Sequence, residues 1–400
     1  MKNIWIVNHH AVTPKMSGGT RHYDFAKELI SRGYKVSIIA SSYHYAKLEE
    51  MKKYPQNKYC LKEQVDQVQF IWIKTPAYKT NGISRVKNML SFAVTLIKEV
   101  PKLNLERPDV IIGSSVHLFA VYGAYKLSQK YNTKFIMEVR DLWPLTLIEM
   151  GISKWHPFVI LLGFLEKFLY KKASIIISTL PKAYKHIEKF VNKDKVIWIS
   201  NGATVSSFSD EYKQVLDTNK FNIVYTGSHG LANSLETLVE VAYILKDKKD
   251  IFFTLVGDGP LRKSLQEKAV KQGLKNIKFI DTVAKSEINN YLKSADLLYV
   301  GLKNLALYRF GMSMNKIFDY MASKRAIIFV SNIDDNIIEE SNAGIVIKDK
   351  NVEKIATAIL NFSHLEKEKQ REFGTNGYNY LVKNFDIKVL TDKLEQVIKD

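Results

Sequence analysis

The chain has 400 residues, is 46% hydrophobic and 25% charged, and carries a net charge of +18 with a single cysteine, Cys60. That composition fits a globular protein of two or three domains. It excludes a largely disordered, collagen-like or coiled-coil chain, an intramolecular disulfide and a cysteine-built metal cluster, and it suits a reducing cytoplasm.

The opening MKNIWIVNHH turns polar at Asn8 and reads as a first strand over 3–8 rather than a signal peptide. Further strands are expected at 36–41, 68–75, 109–114, 134–139, 174–179 and 196–200, with helices at 20–32, 84–100, 118–131, 157–172 and 182–190 between them. The longest apolar run, 158–165, is far below the roughly 20 residues that span a bilayer. Around 83–100, apolar residues recur three or four apart at Ile83, Val86, Leu90, Ala93, Val94 and Ile97. Lys52, Lys53, Lys58, Arg85, Lys87, Lys98 and Lys102 cluster around that stretch. It reads either as an ordinary core helix or as a peripheral contact with an anionic membrane surface.

A polar stretch, 201–220, separates two halves. Beyond it, strands are expected at 222–226, 252–256, 277–280, 297–300, 326–330 and 344–347. Helices are expected at 234–246, 261–271, 286–294, 316–322 and 352–362, with more helix from 364 to 399. Near-continuous apolar strands alternating with helices predict parallel sheets covered on both faces. The fold class is therefore α/β, with two tandem Rossmann-like, doubly wound domains. Charge is divided unevenly between the halves. Residues 1–205 hold 31 Lys and Arg against 15 Asp and Glu, a net of +16, while residues 206–400 come to +2. The basic half suits an anionic partner (nucleic acid, an anionic leaflet or a phosphorylated lipid) or a merely solvated lysine-rich face.

In doubly wound sheets, ligands sit beyond the carboxyl ends of the strands, where loop amides and helix N-termini attract phosphate. Three glycine loops fall there. They are Ser17-Gly18-Gly19-Thr20, with Thr20 placed to cap the next helix; Thr226-Gly227-Ser228-His229-Gly230; and Val256-Gly257-Asp258-Gly259-Pro260. None has dinucleotide or P-loop spacing, so each is a plain turn or a close approach to a ligand. The densest polar cluster contains Arg309, Gly311, Ser313, Asn315, Lys316 and Asp319. A helix starting near Asn315 would offer a cationic, anion-binding end, with Asp319 one turn on to take sugar hydroxyls. In the first half Glu138-Val139-Arg140-Asp141 closes a strand, His117 follows another, and His9 and His10 follow the first. Either these charges line a site, or Arg140 pairs with an acid and Asp141 caps a helix. No HExxH pair, carboxylate cage or GxSxG elbow occurs, so metal-free chemistry is expected.

In this order, Gly18-Gly19-Thr20-Arg21, Arg140-Asp141-Leu142-Trp143-Pro144, Gly257-Asp258-Gly259-Pro260 and Asn315-Lys316-Ile317-Phe318-Asp319-Tyr320-Met321-Ala322 resemble known signatures. They are similar to those of retaining family 4 glycosyltransferases of the GT-B type that build bacterial surface polysaccharides such as capsule and O-antigen. The resemblance implies two Rossmann-like domains facing a cleft. Residues 1–205 plus about 385–400, the final helix returning, would form the acceptor domain, and 206–384 the nucleotide-sugar domain. It implies transfer of a hexosyl or N-acetylhexosaminyl unit from a nucleotide-sugar donor, a UDP-sugar above others. The acceptor would be a polyprenyl-diphosphate-linked saccharide at the inner face of the cytoplasmic membrane, with no cofactor and no metal.

With the strand-end positions and this resemblance taken together, His117, Lys316 and Asp141 are assigned to catalysis. Gly18, Gly19, Gly227, Ser228, Gly257, Arg309, Ser313, Asn315, Lys316 and Asp319 are assigned to the donor, and Arg140, His9 and His10 to the acceptor side. Asp319 stands where the family's second signature acid binds ribose, while the first falls on Gly311. The family's Arg–Lys diphosphate clamp falls on Ser228 and Asn233, which shifts that duty to Lys316, with Arg309 or Arg140 assisting. Attack on the face of departure, with the leaving phosphate taking the acceptor proton, needs no protein nucleophile. A non-hydrolysing sugar-nucleotide epimerase is the alternative enzyme of like architecture. A nucleic-acid binder is disfavoured, since no recognition module or stacking platform is present.

Overall fold

Runs such as NIWIV at Asn3–Val7 and VIIGS at Val110–Ser114 are buried at every position, as strands covered on both faces must be. The computed structural model describes residues 2–80, 82–208, 211–334 and 336–399, without the side chains at 285 and 286. It divides into two units, one of Met1–Pro14, Gly18–Ser200 and Leu390–Asp400, the other of Lys15–Ser17 and Asn201–Val389. The boundary expected after residue 205 thus lies after Ser200, and residues 209 and 210 of the expected linker fall outside the described residues.

The first unit holds β1 (Asn3–Val7), β2 (Lys35–Ser41), β3 (Tyr43–His44), β4 (Glu49–Glu50), β5 (Cys60–Val65), β6 (Val68–Ile73), β7 (Val110–Ser114), β8 (Lys134–Val139), β9 (Ile175–Ser178) and β10 (Val196–Trp198). Eight of these form one sheet in the order β10-β9-β8-β7-β1-β2-β6-β5, and β3 pairs with β4 separately. All neighbours in the large sheet are parallel except β5 and β6. The edge strand β5, CLKEQV, was not expected from the sequence. Only Cys60 in it is buried, the other positions being half-buried or exposed, so it lacks the continuous apolar run that marks its neighbours. The helices Arg21–Ser31, Ile83–Glu99, Leu118–Tyr131 and Pro157–Lys172 pack on this sheet. The helix expected over 182–190 is only Tyr184–Ile187.

The second unit holds β11 (Phe221–Thr226), β12 (Ile251–Val256), β13 (Ile277–Ile280), β14 (Leu297–Gly301), β15 (Ala326–Val330) and β16 (Gly344–Ile347). They form an all-parallel sheet in the order β13-β12-β11-β14-β15-β16. Its core joins Ile223, Tyr225, Phe253, Leu255 and Tyr299 to Leu238 and Val241 of the helix Leu235–Ile244. The final helix, Ile387–Lys399, carries the chain back to the first unit, as expected. There Lys2 Nζ donates to Ile398 O (2.8 Å) and Lys134 Nζ to Val397 O (2.7 Å), two cations at a helix C-terminus. Arg32 pairs with Asp392 (2.6 Å) and Glu395 (3.0 Å) of the same helix.

Candidate functional site

Strand order reverses at β11 in the second sheet, with β12 on one side and β14 on the other. A crevice therefore opens beyond the carboxyl ends of β11 and β14. The loop after β11 carries Gly227, and the chain after β14 leads to the helix Asn315–Ala322. Lys316 reaches from that helix to the loop. Its Nζ donates to Tyr225 Oη (2.7 Å) and Asn233 Oδ1 (3.2 Å) and lies 4.2 Å over the Tyr225 ring. A Cβ on Gly227, where φ is +129°, would come within 3.2 Å of that ammonium, so glycine lets the two meet.

Burial pushes the Lys316 pKa down to about 7, and no carboxylate pairs with it among the described residues. Both oxygens it binds are neutral. The helix starts without a side-chain cap, which leaves its first amides to an anion. Asn315 opens that turn, Asp319 stands half-buried one turn on, and Tyr320 Oη anchors the helix by accepting from Thr226 N–H (2.8 Å).

The other donor-side residues take different places. Ser228 is exposed, and its carbonyl accepts from Tyr225 Oη (2.6 Å) and Asn233 Nδ2 (2.9 Å). Gly257 faces the loop rather than an opening, because a Cβ there would lie 2.0 Å from Gly227 O. Its role is to let the two glycine loops interlock, through Gly227 N–H to Val256 O (2.9 Å) and His229 N–H to Asp258 O (2.8 Å). Ser313 Oγ and O accept from Asn201 N–H (2.8 Å) and Nδ2 (2.6 Å), so that serine ties the chain entry of the unit. Arg309 is exposed and donates to Ala306 O (2.6 Å) of its own turn. His229 was not singled out from the sequence. Its ring is buried between the loops with neither nitrogen hydrogen-bonded, and burial, then Arg262, pushes its pKa down to about 4.

In the first sheet the order reverses at β1, between β2 and β7. His9 and His10 follow β1, His117 follows β7, and Arg140 and Asp141 follow β8, so all five gather at one carboxyl edge. Gly18 and Gly19 lie in the loop leading to Arg21–Ser31, with Gly18 beside Tyr45. His117 caps Leu118–Tyr131, its Nδ1 accepting from Ala120 N–H (3.2 Å). Its proton then sits on Nε2 and donates to His9 Nδ1 (2.8 Å). His9 packs on Phe92 with ring centroids 4.3 Å apart.

Burial keeps all three imidazoles neutral. His117 and His9 lie well below their ordinary value, and His10 is pushed down to about 3 with Arg85 and Arg140 adding to the effect. The His117 ring is buried and both its nitrogens are engaged, one by the helix amide and one by His9. His9 is buried as well, while His10 is half-buried against Tyr45.

Arg140 does not pair with the neighbouring acid. Glu138 instead takes Arg21 Nε (2.8 Å), His22 Nε2 (2.7 Å) and Ser114 Oγ (2.7 Å). Arg21 continues to Ile199 O (2.8 Å) and Ser200 O. Burial alone would raise the Glu138 pKa, and Arg21 and His22 hold it well below the carboxylate range. The Arg140 guanidinium has no hydrogen bond or ion pair among the described residues. Asp141 is exposed beside it and caps no helix; its surroundings raise its pKa, and Arg140 opposes the rise. Thr20 also departs from expectation, because its hydroxyl donates to Asp24 (2.7 Å) rather than capping a backbone amide. In Ile83–Glu99 the core face is Met89, Phe92, Ala93 and Leu96. Ile83, Leu90 and Val94 of the expected stripe stay exposed. Lys52 and Lys102 are paired with Glu63 and Glu99.

Two family models divide the chain. The one described as Glycosyltransferase Family 4 matches residues 17–207, and the one described as Glycosyl transferases group 1 matches residues 220–364. Among curated proteins, "Putative colanic acid biosynthesis glycosyl transferase WcaI" of Escherichia coli (strain K12) is 25% identical over 301 residues, 71% of this chain and 73% of that protein. Two solved structures are similar at low identity. Sucrose-phosphate synthase from Thermosynechococcus elongatus has a TM-score of 0.75 at 15% identity, over 100% of this chain and 98% of that one. Anabaena HepE in complex with UDP-glucose has a TM-score of 0.70 at 12% identity, over 100% of both chains. The structural likenesses carry the fold.

Proposed function

We infer, for a chain that belongs to the family 4 and group 1 glycosyltransferases and has their GT-B fold, that it moves a hexosyl or N-acetylhexosaminyl unit from a UDP-sugar to a polyprenyl-diphosphate-linked saccharide. Transfer proceeds with retention, without a metal or cofactor, during bacterial surface-polysaccharide assembly at the cytoplasmic face of an anionic membrane. The observation that carries this reading is the Lys316 ammonium, desolvated and without a counter-ion among the described residues, at the strand-order reversal of the second sheet. A diphosphate supplies the missing charge. Lys316, the Gly227 loop and the open amides at Asn315 stabilise the departing UDP, and Asp319 takes its ribose hydroxyls. On the other unit, Arg140, Asp141 and His10 hold acceptor and sugar, with His9 and His117 setting their positions. The leaving phosphate accepts the acceptor's proton as the new bond forms on the face it vacates. The UDP-glucose bound by HepE supports the donor class, and the name of WcaI supports the polysaccharide role.

The test is a thermal-shift panel of UDP-, GDP- and dTDP-sugars, followed by transfer of a labelled sugar to detergent-dispersed polyprenyl-diphosphate saccharide in EDTA. A UDP-sugar should raise the melting temperature, and the product should keep the donor's anomeric configuration. An acceptor-independent epimer would establish the epimerase instead, and an inverted product would remove retention.

A further inference from the structure

The longest apolar run of the chain is not spent on the core. In Pro157–Lys172 the buried side chains are Val159, Leu162, Glu166, Leu169 and Tyr170. The other side of the helix carries Ile160, Leu161, Phe164 and Phe168, all exposed, with Leu161 at 53% and Phe164 at 71%. The preceding loop adds Met150 and Trp155, each 73% exposed. Single exposed apolar side chains need no explanation, but this many on one helix side and its adjoining loop mark an interaction surface.

The surrounding charge selects the partner. Lys154 Nζ lies 5.3 Å from the Trp155 ring and Lys172 Nζ 5.8 Å from the Phe168 ring, and Lys167 and Lys171 are exposed on the same helix. The helix has one acid, Glu166, and it is buried, accepting from Tyr170 Oη (2.9 Å). Exposed rings and aliphatic chains flanked by Lys154, Lys167, Lys171 and Lys172 match an acyl boundary under anionic headgroups. A second copy placed isologously on this face would set the same lysines against each other.

We propose that the outer side of Pro157–Lys172, with Met150 and Trp155, docks peripherally on an anionic bilayer. Among the described residues no helix is long and apolar enough to cross one. This deepens the lipid-linked acceptor reading by naming the surface that brings the first unit to the acceptor.

Co-sedimentation with phosphatidylglycerol-containing and pure phosphatidylcholine vesicles, all lacking polyprenyl lipid, tests docking apart from catalysis. Trp155→Ser, Leu161→Ser and Phe164→Ser combined should cut partitioning onto anionic vesicles at least about tenfold, as should added salt, with UDP affinity and melting temperature unchanged. Three results would each overturn the proposal: undiminished partitioning of that variant; loss confined to an Ile83→Ser, Leu90→Ser and Val94→Ser variant; or a dimer that the first variant dissolves. Failure of the acceptor reading shows separately, as absent transfer to detergent-dispersed acceptor by a protein that still binds vesicles.

Discussion

Lys316 holds its ammonium against a phenol and an amide oxygen, and burial alone sets its pKa near 7. A bound diphosphate returns the site to its charged form, so binding above that pH draws a proton from solution. Titration calorimetry at pH 8, repeated in buffers of different ionisation enthalpy, should show up to about one proton taken up per UDP. In Lys316→Arg, which is charged at every working pH, that uptake should vanish. Lys316→Ala should lose about 2–4 kcal/mol of transition-state stabilisation in kcat/KM, and wild-type turnover at saturating donor would take the residue off the leaving group. Asp319 has a different signature. Asp319→Ala should weaken binding of free UDP while Asp319→Glu keeps part of it, and unchanged affinity in the alanine variant would end the ribose assignment.

Between elements, the buried Glu138 joins β8 to the helix Arg21–Ser31 through Arg21 and His22. Glu138→Ala leaves the Arg21 guanidinium buried without its carboxylate, which should cost about 3–5 kcal/mol of stability. Urea unfolding followed by far-ultraviolet circular dichroism would read this directly, and an unmoved midpoint would show the pair to be dispensable. That pair also marks how far a sequence can be read. Leu118–Tyr131, Ile277–Ile280, Ala326–Val330 and Gly344–Ile347 fall where periodicity and apolar runs put them, because buried parallel strands and their helices write their environment locally. β5 was hidden because an edge strand alternates with charge, as in CLKEQV. The glycine loops and Lys316 were legible because strand-end position and residue type suffice to mark them. The pairing of Glu138 with Arg21 and His22, and of His117 with His9, was not, since those partners lie more than a hundred residues away in sequence. The exposed side of Pro157–Lys172 was equally hidden, because a helix apolar all round reads as a buried one.

Across the described residues, the imidazoles whose pKa burial lowers are unevenly shared. His9, His10, His22 and His117 belong to the first unit and His229 to the second, and burial lowers the pKa of each. In the unfolded chain these groups gain protons as the pH falls through about 6.5, while the folded chain resists until lower pH, His229 until about 4 and His10 until about 3. The unfolded state therefore binds more protons in that window, and stability is lost as the pH drops. The loss reaches about 1.4 kcal/mol per pH unit for each imidazole that stays neutral. Glu138 acts in the same direction further down, because a depressed carboxylate contributes stability that is present above its unfolded pKa and disappears as the pH falls through its folded one. Lys316 works at the other end of the scale. Its lowered pKa adds stability to the second unit as the pH climbs from about 7 toward the ordinary lysine value of 10.5. Acid should therefore loosen the first unit before the second. Hydrogen exchange resolved by peptide, compared at pH 7.5 and 5.5 after correction for intrinsic rates, should show protection falling first in β1, β7, β8 and the helix Leu118–Tyr131, with β11, β12 and β15 retaining theirs. Earlier loss from the second sheet, or equal loss from both, would mean that the imidazoles at the edge of the first sheet are not what limits the fold in acid.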